Sequence, residues 1–207
     1  MDLKTIKVGA EKTNCYIVSE KSGISFVVDP GNDFESINGE LKKIKNLDLK
    51  YILLTHGHFD HVQAVDDLKS AYPKADVMIG EGDIEFIRRL TEQGMYVGKF
   101  LKNVKAEIVA VSDGDFLPFG DGNIKVIGTP GHTPGGNCYL FDKILFSGDT
   151  LFWHTIGRTN LPLASESELK ISLRKLATLP GETKVFPGHG KETIIKEEII
   201  NGYLGGE

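Results

Sequence analysis

Cysteine is scarce in this chain: Cys15 and Cys138 are the only two among 207 residues. Each sits in a strand-like stretch among tyrosine and aliphatic neighbours, which predicts buried thiols rather than a disulfide or a pair of metal ligands. Also missing is any uninterrupted apolar run of the ~20 residues that a bilayer requires, and the segment from Met1 to Lys7 lacks the apolar core of a signal peptide. A cytoplasmic protein without a membrane partner is expected. Nor is there an excess of positive charge, because 24 lysines and arginines face 29 aspartates and glutamates, for a net charge of -5. A nucleic-acid partner, which selects a basic face, is therefore not expected. Repeats and low-complexity linkers are absent too, so one domain over residues 1–207 is predicted, as a monomer or small homo-oligomer.

What is present alternates. Patterning predicts strands near 3–8, 13–19 and 24–29, the last stopped by Asp29-Pro30-Gly31, and then a helix over 34–45 with Ile37, Leu41 and Ile44 at helical spacing. A strand over 51–54 follows, then a helix capped by Asp60 and running to about Ala71, a short strand at 76–79 and a helix around 83–91. Residues 92–100 have glycines and apolar side chains without clear periodicity, which fits a loop over a pocket. From 107 onward strand follows strand (107–111, 115–119, 123–128, 137–141, 144–147), separated by Asp-Gly and Gly-rich turns. A helix at 166–177, a strand at 184–186 and a helix at 191–200 close the chain. Two strand-rich halves flanked by helices suggest an α/β fold with two sheets face to face and helices outside.

The histidines are concentrated. Thr55-His56-Gly57-His58-Phe59-Asp60-His61 places four metal-competent side chains within six residues, directly after the apolar run Tyr51-Ile52-Leu53-Leu54. Imidazole nitrogens mixed with a carboxylate suit Zn²⁺, Fe²⁺ or Mn²⁺ better than Ca²⁺ or Mg²⁺. Further along, His132 lies in Thr129-Pro130-Gly131-His132-Thr133-Pro134-Gly135, Asp149 ends the run Leu145-Phe146-Ser147-Gly148-Asp149, and His189 lies in Pro187-Gly188-His189-Gly190. A lone His-Gly reads as a turn. Five histidines and two aspartates in such settings do not, because burying them without a cation leaves costly unsatisfied groups. The sixth histidine, His154 beside Trp153, reads instead as a solvated or rim residue.

In this order, His-x-His-x-Asp-His, Gly-His-Thr-Pro-Gly, Ser-Gly-Asp-Thr-Leu-Phe, Gly-Arg-Thr and Pro-Gly-His-Gly, spread over residues 55 to 190, resemble the metallo-β-lactamase superfamily and within it the glyoxalase II-like thioester hydrolases. The resemblance implies a four-layer αβ/βα sandwich. By position it assigns His56, His58 and His132 to a first metal and Asp60, His61 and His189 to a second, with Asp149 bridging. It implies a dinuclear site, with zinc first and iron or manganese as alternatives, in which a bridging hydroxide attacks a thioester or ester carbonyl. Asp60 then has a catalytic part, orienting the hydroxide and taking its proton. Arg158 matches the basic residue that reaches the backbone or carboxylate of the thiol carrier, and its fork geometry suits a carboxylate.

Departures from the family pattern narrow the resemblance. Asn160 stands where an aspartate is common, and His61-Val62-Gln63-Ala64 replaces the usual Gly-Gly pair. The chain ends soon after His189, without the helical C-terminal domain that helps to grip glutathione, so it is most similar to a short bacterial glyoxalase II-like hydrolase. Persulfide dioxygenases of the same superfamily share nearly all these motifs but use one iron, here on His56, His132 and Asp149. A β-lactamase is expected to place another residue where Asp149 lies, and a flavodiiron protein wants glutamate at position 58. A non-catalytic metal-binding module is the remaining reading.

Overall fold

A computed structural model of the chain describes residues 1–204; residues 205–207, the end of the short tail, lie outside the described residues. Strands β1 (Asp2–Val8), β2 (Thr13–Ser19), β3 (Ile24–Val28), β4 (Asp48–Leu53), β5 (Asp76–Gly80) and β6 (Ile108–Val111) lie side by side in chain order. The first three pair antiparallel, and β3 to β6 run parallel. The helices that cross between parallel strands are α1 (Phe34–Leu41), α2 (Phe59–Val62), α3 (Val65–Ala71), α4 (Ile84–Arg88) and α5 (Leu90–Val97). The second sheet begins with β7 (Phe116–Phe119), β8 (Gly122–Gly128), β9 (Asn137–Phe141) and β10 (Ile144–Gly148). A small hairpin of β11 (Leu151–Phe152) and β12 (Thr155–Ile156) precedes α6 (Glu166–Leu176), β13 (Lys184–Pro187), β14 (Thr193–Ile194) and α7 (Ile195–Ile200). The second sheet's order is β14-β13-β10-β9-β8-β7.

Strand periodicity explains the layering. Tyr16, Val18, Phe26 and Val28 point to one face of the first sheet, where they meet Val126, Tyr139, Phe146 and Phe186 of the second. Their neighbours Cys15, Ile17 and Val27 point the other way, onto Ile37, Leu41, Val65 and Leu68 of the helices. On the far side of the second sheet, Ile127, Cys138, Leu145 and Val185 pack on Leu169, Leu173 and Leu176 of α6. Three apolar interfaces thus separate four layers, helices, sheet, sheet and helices, which is the sandwich expected. A strand such as β2, buried along its whole length, reads as a near-continuous run for this reason. Cys15 and Cys138 are free and buried, as expected. Among the described residues no helix is long and apolar enough to cross a membrane.

Several boundaries differ from those predicted. Helix α1 stops at Leu41, short of residue 45. Asp60 caps nothing: the N-cap of α2 is His58, and the single helix expected to reach Ala71 is two pieces. The break has a backbone cause, since the N–H groups of Gln63 and Ala64 donate to the carbonyls of Gly31 and Pro30 rather than continuing the helix. The loop expected from residue 92 is helical as far as Val97, because Leu90 and Gly94 are buried and Gly94 allows close approach of the Lys99 carbonyl and Leu101. Helix α7 begins at Ile195, not 191, since Thr193 and Ile194 pair with β13.

Candidate metal centre

Four strands, β4 of the first sheet and β8, β10 and β13 of the second, each hand the chain to a loop that carries a ligand type, and the four loops come together at one edge of the sandwich. Beyond β4 come His56, His58, Asp60 and His61; beyond β8, His132; beyond β10, Asp149; beyond β13, His189. All seven meet. Ligand atoms of His56, His58 and His132 lie within 4.8 Å of one another, as do those of Asp60, His61 and His189 and those of His56, His61 and Asp149. Asp149 stands between the two halves: its Oδ1 is 3.5 Å from His61 Nε2, and its Oδ2 is 3.6 Å from His132 Nε2 and 3.8 Å from His189 Nε2. Asp60 Oδ2 sits 3.2 Å from His189 Nε2 and 3.4 Å from His61 Nε2.

Outer hydrogen bonds fix which nitrogen of three rings faces the centre. Asp29, buried and at a positive φ of 50° where β3 ends, accepts from His61 Nδ1 at 2.9 Å and from the Thr55 hydroxyl at 2.7 Å. That hydroxyl, having donated its proton, accepts from His56 Nδ1 at 3.0 Å. His132 Nδ1 donates to the Arg158 carbonyl at 2.9 Å. Each ring therefore turns Nδ1 outward to an acceptor and Nε2 inward to the centre, the arrangement typical of imidazole ligands. Among the described residues, His56 Nε2, His61 Nε2 and Asp149 Oδ1 are buried with no hydrogen-bond partner. Native interiors rarely tolerate such orphans. Cations held at this cluster would satisfy all three, so the donor set fits a transition-metal centre.

The electrostatics agree. Burial, and then the neighbouring imidazoles, holds His56 well below the usual histidine range and pushes His58 down to about 3, which keeps their lone pairs free. At His61 burial also opposes charge, but Asp60, Asp149 and Asp29 outweigh it and lift the ring to about 10. Those carboxylates hold a proton where a dication can replace it. Burial likewise opposes ionisation of Asp60, yet His61 and His189 outweigh it and keep the carboxylate ionised.

Several residues that position this cluster carried no visible signal in the sequence. Buried Asp83 accepts from Gly57 N, the Thr133 hydroxyl and Gly135 N at 2.6–2.7 Å, which ties the His56–His58 loop to the His132 loop. Gln93 on α5 clips the chain on both sides of His58, donating to the Gly57 carbonyl at 2.9 Å and accepting from Phe59 N at 3.1 Å. The two sheets are locked at the same edge: Tyr16 OH and Asn14 Nδ2 donate to the Pro187 carbonyl, and Tyr139 OH donates to that of Leu54. Thr13 bonds Asp60 Oδ2. Two glycines are dictated by crowding. A Cβ on Gly188 meets Asp149 Oδ1 at 2.3 Å, and Gly148, at φ 49°, has the Thr55 hydroxyl 2.2 Å from where its Cβ would lie.

The centre opens into a cavity of about 430 Å³ whose walls include His132, Asp149, His189, Trp153, Arg158 and Lys191. Arg158 is exposed, and among the described residues its guanidinium has no carboxylate partner, so a purely structural ion pair does not account for it. His154 stays out of the cluster, as expected. It stacks on Trp153 and bonds Glu197 at 3.0 Å on α7, and although it forms a group of ligand types with Glu197 and Glu198, these atoms are already hydrogen-bonded to one another or to Thr193 and Asn201.

Comparison with known proteins gives the same reading of the fold. Residues 8–189 match the family model of the metallo-beta-lactamase superfamily. The chain is 32% identical to the hydroxyacylglutathione hydrolase GloC of Haemophilus influenzae over 96% of its own length and 95% of that protein's. Among solved structures it is similar to the BLEG-1 B3 metallo-beta-lactamase, with a TM-score of 0.90, 33% identity and coverage of 99% of this chain and 100% of that one. It is also similar to TTHA1623 in a di-iron-bound form, with a TM-score of 0.85, 32% identity and coverage of 95% and 96%. By motif order, by layering and by these matches, the chain belongs to the metallo-beta-lactamase superfamily.

Proposed function

We propose that this chain is a metal-dependent hydrolase and that its substrates are thioesters, as in hydroxyacylglutathione hydrolases. The observation that carries the reading is the convergence of the buried, unpartnered Nε2 atoms of His56 and His61 with Asp149 Oδ1, beside an open cavity walled by an unpaired arginine. His56, His58 and His132 would hold one divalent ion, Asp60, His61 and His189 a second, and Asp149 both. When bound, such a pair supplies a hydroxide at neutral pH, by lowering the pKa of water from ~15.7 towards ~7, and polarises the carbonyl under attack. Asp60, kept ionised by its two histidine neighbours, orients the nucleophile and accepts its proton. Arg158 grips a carboxylate of the thiol carrier at a distance from the reacting carbonyl. No serine or cysteine nucleophile is required.

The similarity to GloC supports the thioester class. The similarity to a B3 metallo-beta-lactamase brings lactam hydrolysis in as a second reading, since the same attack on a carbonyl opens a lactam ring. Both are tested together. The purified protein is analysed for zinc, iron and manganese, then assayed for hydrolysis of S-lactoylglutathione and of a chromogenic cephalosporin, and for oxygen uptake with glutathione persulfide. Thioester hydrolysis with two ions per chain is the expected result. One iron per chain with oxygen uptake and no hydrolysis would replace this reading by a persulfide dioxygenase, and ring opening alone by a lactamase.

A further inference from the structure

The cavity beside Arg158 holds a second cation. Lys191, two residues beyond His189, lines it as well, and among the described residues neither Lys191 nor Arg158 has a carboxylate partner. Much of the remaining wall is apolar, made by Phe152, Trp153 and Ile156. Candidate ligands Asp149 and His189 line the same cavity, so a group that fills it lies against the reacting centre.

Trp153, the only tryptophan of the chain, is held in three ways. His154 stacks on it at 4.4 Å with 22° between the ring planes, Lys191 Nζ stands 3.4 Å from its ring centroid, and its Nε1 donates to Glu197 Oε1 at 3.3 Å. The indole attracts the Lys191 ammonium through its π-face without neutralising it. The backbone before Lys191 is pinned too, since Gly190 is at φ 81° and its carbonyl accepts from Asn14 Nδ2 at 3.2 Å. Two unpaired cations set in an apolar wall suit a hydrocarbon segment that ends in an anion. A peptide-like carrier such as glutathione would instead lay amide groups against Phe152, Trp153 and Ile156, whose side chains offer no free hydrogen-bonding group in exchange for the water lost, because Trp153 Nε1 is already engaged.

We infer that this cavity takes an amphiphilic thiol carrier, an apolar chain of several carbons that lies on Phe152, Trp153 and Ile156 and ends in an anion held by Arg158 and Lys191. The inference rests on the thioester reading and goes beyond it by naming the class of carrier and by giving Lys191 and Trp153 a part in specificity. Lys191 shares the anion with Arg158, the one as a point charge and the other as a fork. Trp153 acts twice, as apolar surface and as the platform that keeps the Lys191 ammonium in place.

The test uses the metal-loaded protein and lactoyl thioesters of three thiols: 6-mercaptohexanoate, which has both features, hexanethiol, which lacks the anion, and glutathione, which lacks the apolar chain. The first should exceed each of the others in kcat/KM by about tenfold or more. Lys191→Gln should cut the lead over hexanethiol about tenfold, through KM, and Trp153→Ala should lower kcat/KM on both hexyl carriers by about tenfold, with Trp153→Phe restoring part of it. Bound metal should stay the same in all three variants. A second arm needs no turnover: the S-methyl thioether of 6-mercaptohexanoate, titrated into the metal-loaded protein, should give a saturable change in the fluorescence of Trp153, and S-methylglutathione at the same concentrations should give far less. Equal kcat/KM on the three carriers, preference for glutathione, or no saturable fluorescence change overturns the amphiphilic carrier and leaves the thioester reading intact. Hydrolysis of none of the three overturns the thioester reading, and the carrier assignment with it.

Discussion

Asp149 is the side chain that stands between both halves of the candidate centre, with one oxygen towards His61 and the other towards His132 and His189. Asp149→Asn keeps the size and removes the charge that offsets two dications, so bound metal and hydrolytic activity should fall together, while the metal-free protein should be no less stable because Oδ1 is already an orphan. Metal analysis and a melting curve check this; full metal content with near-normal turnover would remove Asp149 from its bridging place. Arg158 acts differently. Its backbone carbonyl, which holds His132, survives substitution, so Arg158→Ala should leave metal content unchanged. A charge-assisted bond of ~1.5–3 kcal/mol present in both ground and transition states predicts a rise in KM larger than the fall in kcat, about ten- to a hundredfold in kcat/KM for anionic thioesters. Neutral esters should be affected far less, and equal loss on both would return Arg158 to a structural part. The seven candidate ligands were legible because metal chemistry restricts residue type so strongly. Asp29, Asp83 and Gln93 were not, since an acid or amide that binds backbone N–H groups looks like any other polar residue until the chain is folded.

At the scale of elements, legibility followed burial. Strands packed on both faces, such as β2 and β10, announce themselves as apolar runs, whereas the two-residue strands β11, β12 and β14 exist only through their pairing and leave no pattern. Helix α5 was hidden for a related reason. Only Leu90 and Gly94 face the interior, and the exposed Met95, Tyr96 and Val97 blur the period that would have revealed it. Its importance lies in Gln93, which fastens the helix to the backbone on both sides of His58. Gln93→Ala should leave His58 free to turn, lowering metal affinity of the His56, His58 and His132 set by about 10–100-fold, the usual effect of removing an outer partner of a ligand. Competition with a chelator reads this directly. Gln93→Glu, which can accept from Phe59 N but cannot donate to Gly57, should restore part of the loss; equal affinity in all three proteins would make α5 a mere cover.

For the whole molecule, the question is whether metal builds the fold or only uses it. Three apolar interfaces, each with its own buried cluster, hold the four layers together without any of the seven ligands. The ligand loops are tied down independently, by Asp29, by Asp83 and by the cross-sheet bonds of Tyr16 and Tyr139. This differs from small zinc domains, which are unfolded without their ion. Removing metal with a chelator should therefore leave secondary structure and near-ultraviolet circular dichroism largely native. What is lost is the linkage term: an ion at a hundredfold excess over its Kd stabilises by ~2.7 kcal/mol, which at this chain length corresponds to a drop of roughly 5–10 °C in Tm for each ion removed. Adding zinc back should reverse the drop and restore hydrolysis. A metal-free protein that instead loses its near-ultraviolet signal, or melts without a cooperative transition, would mean that the charges gathered around Asp149 cannot be held together by the surrounding packing alone, and that the ions are part of the core.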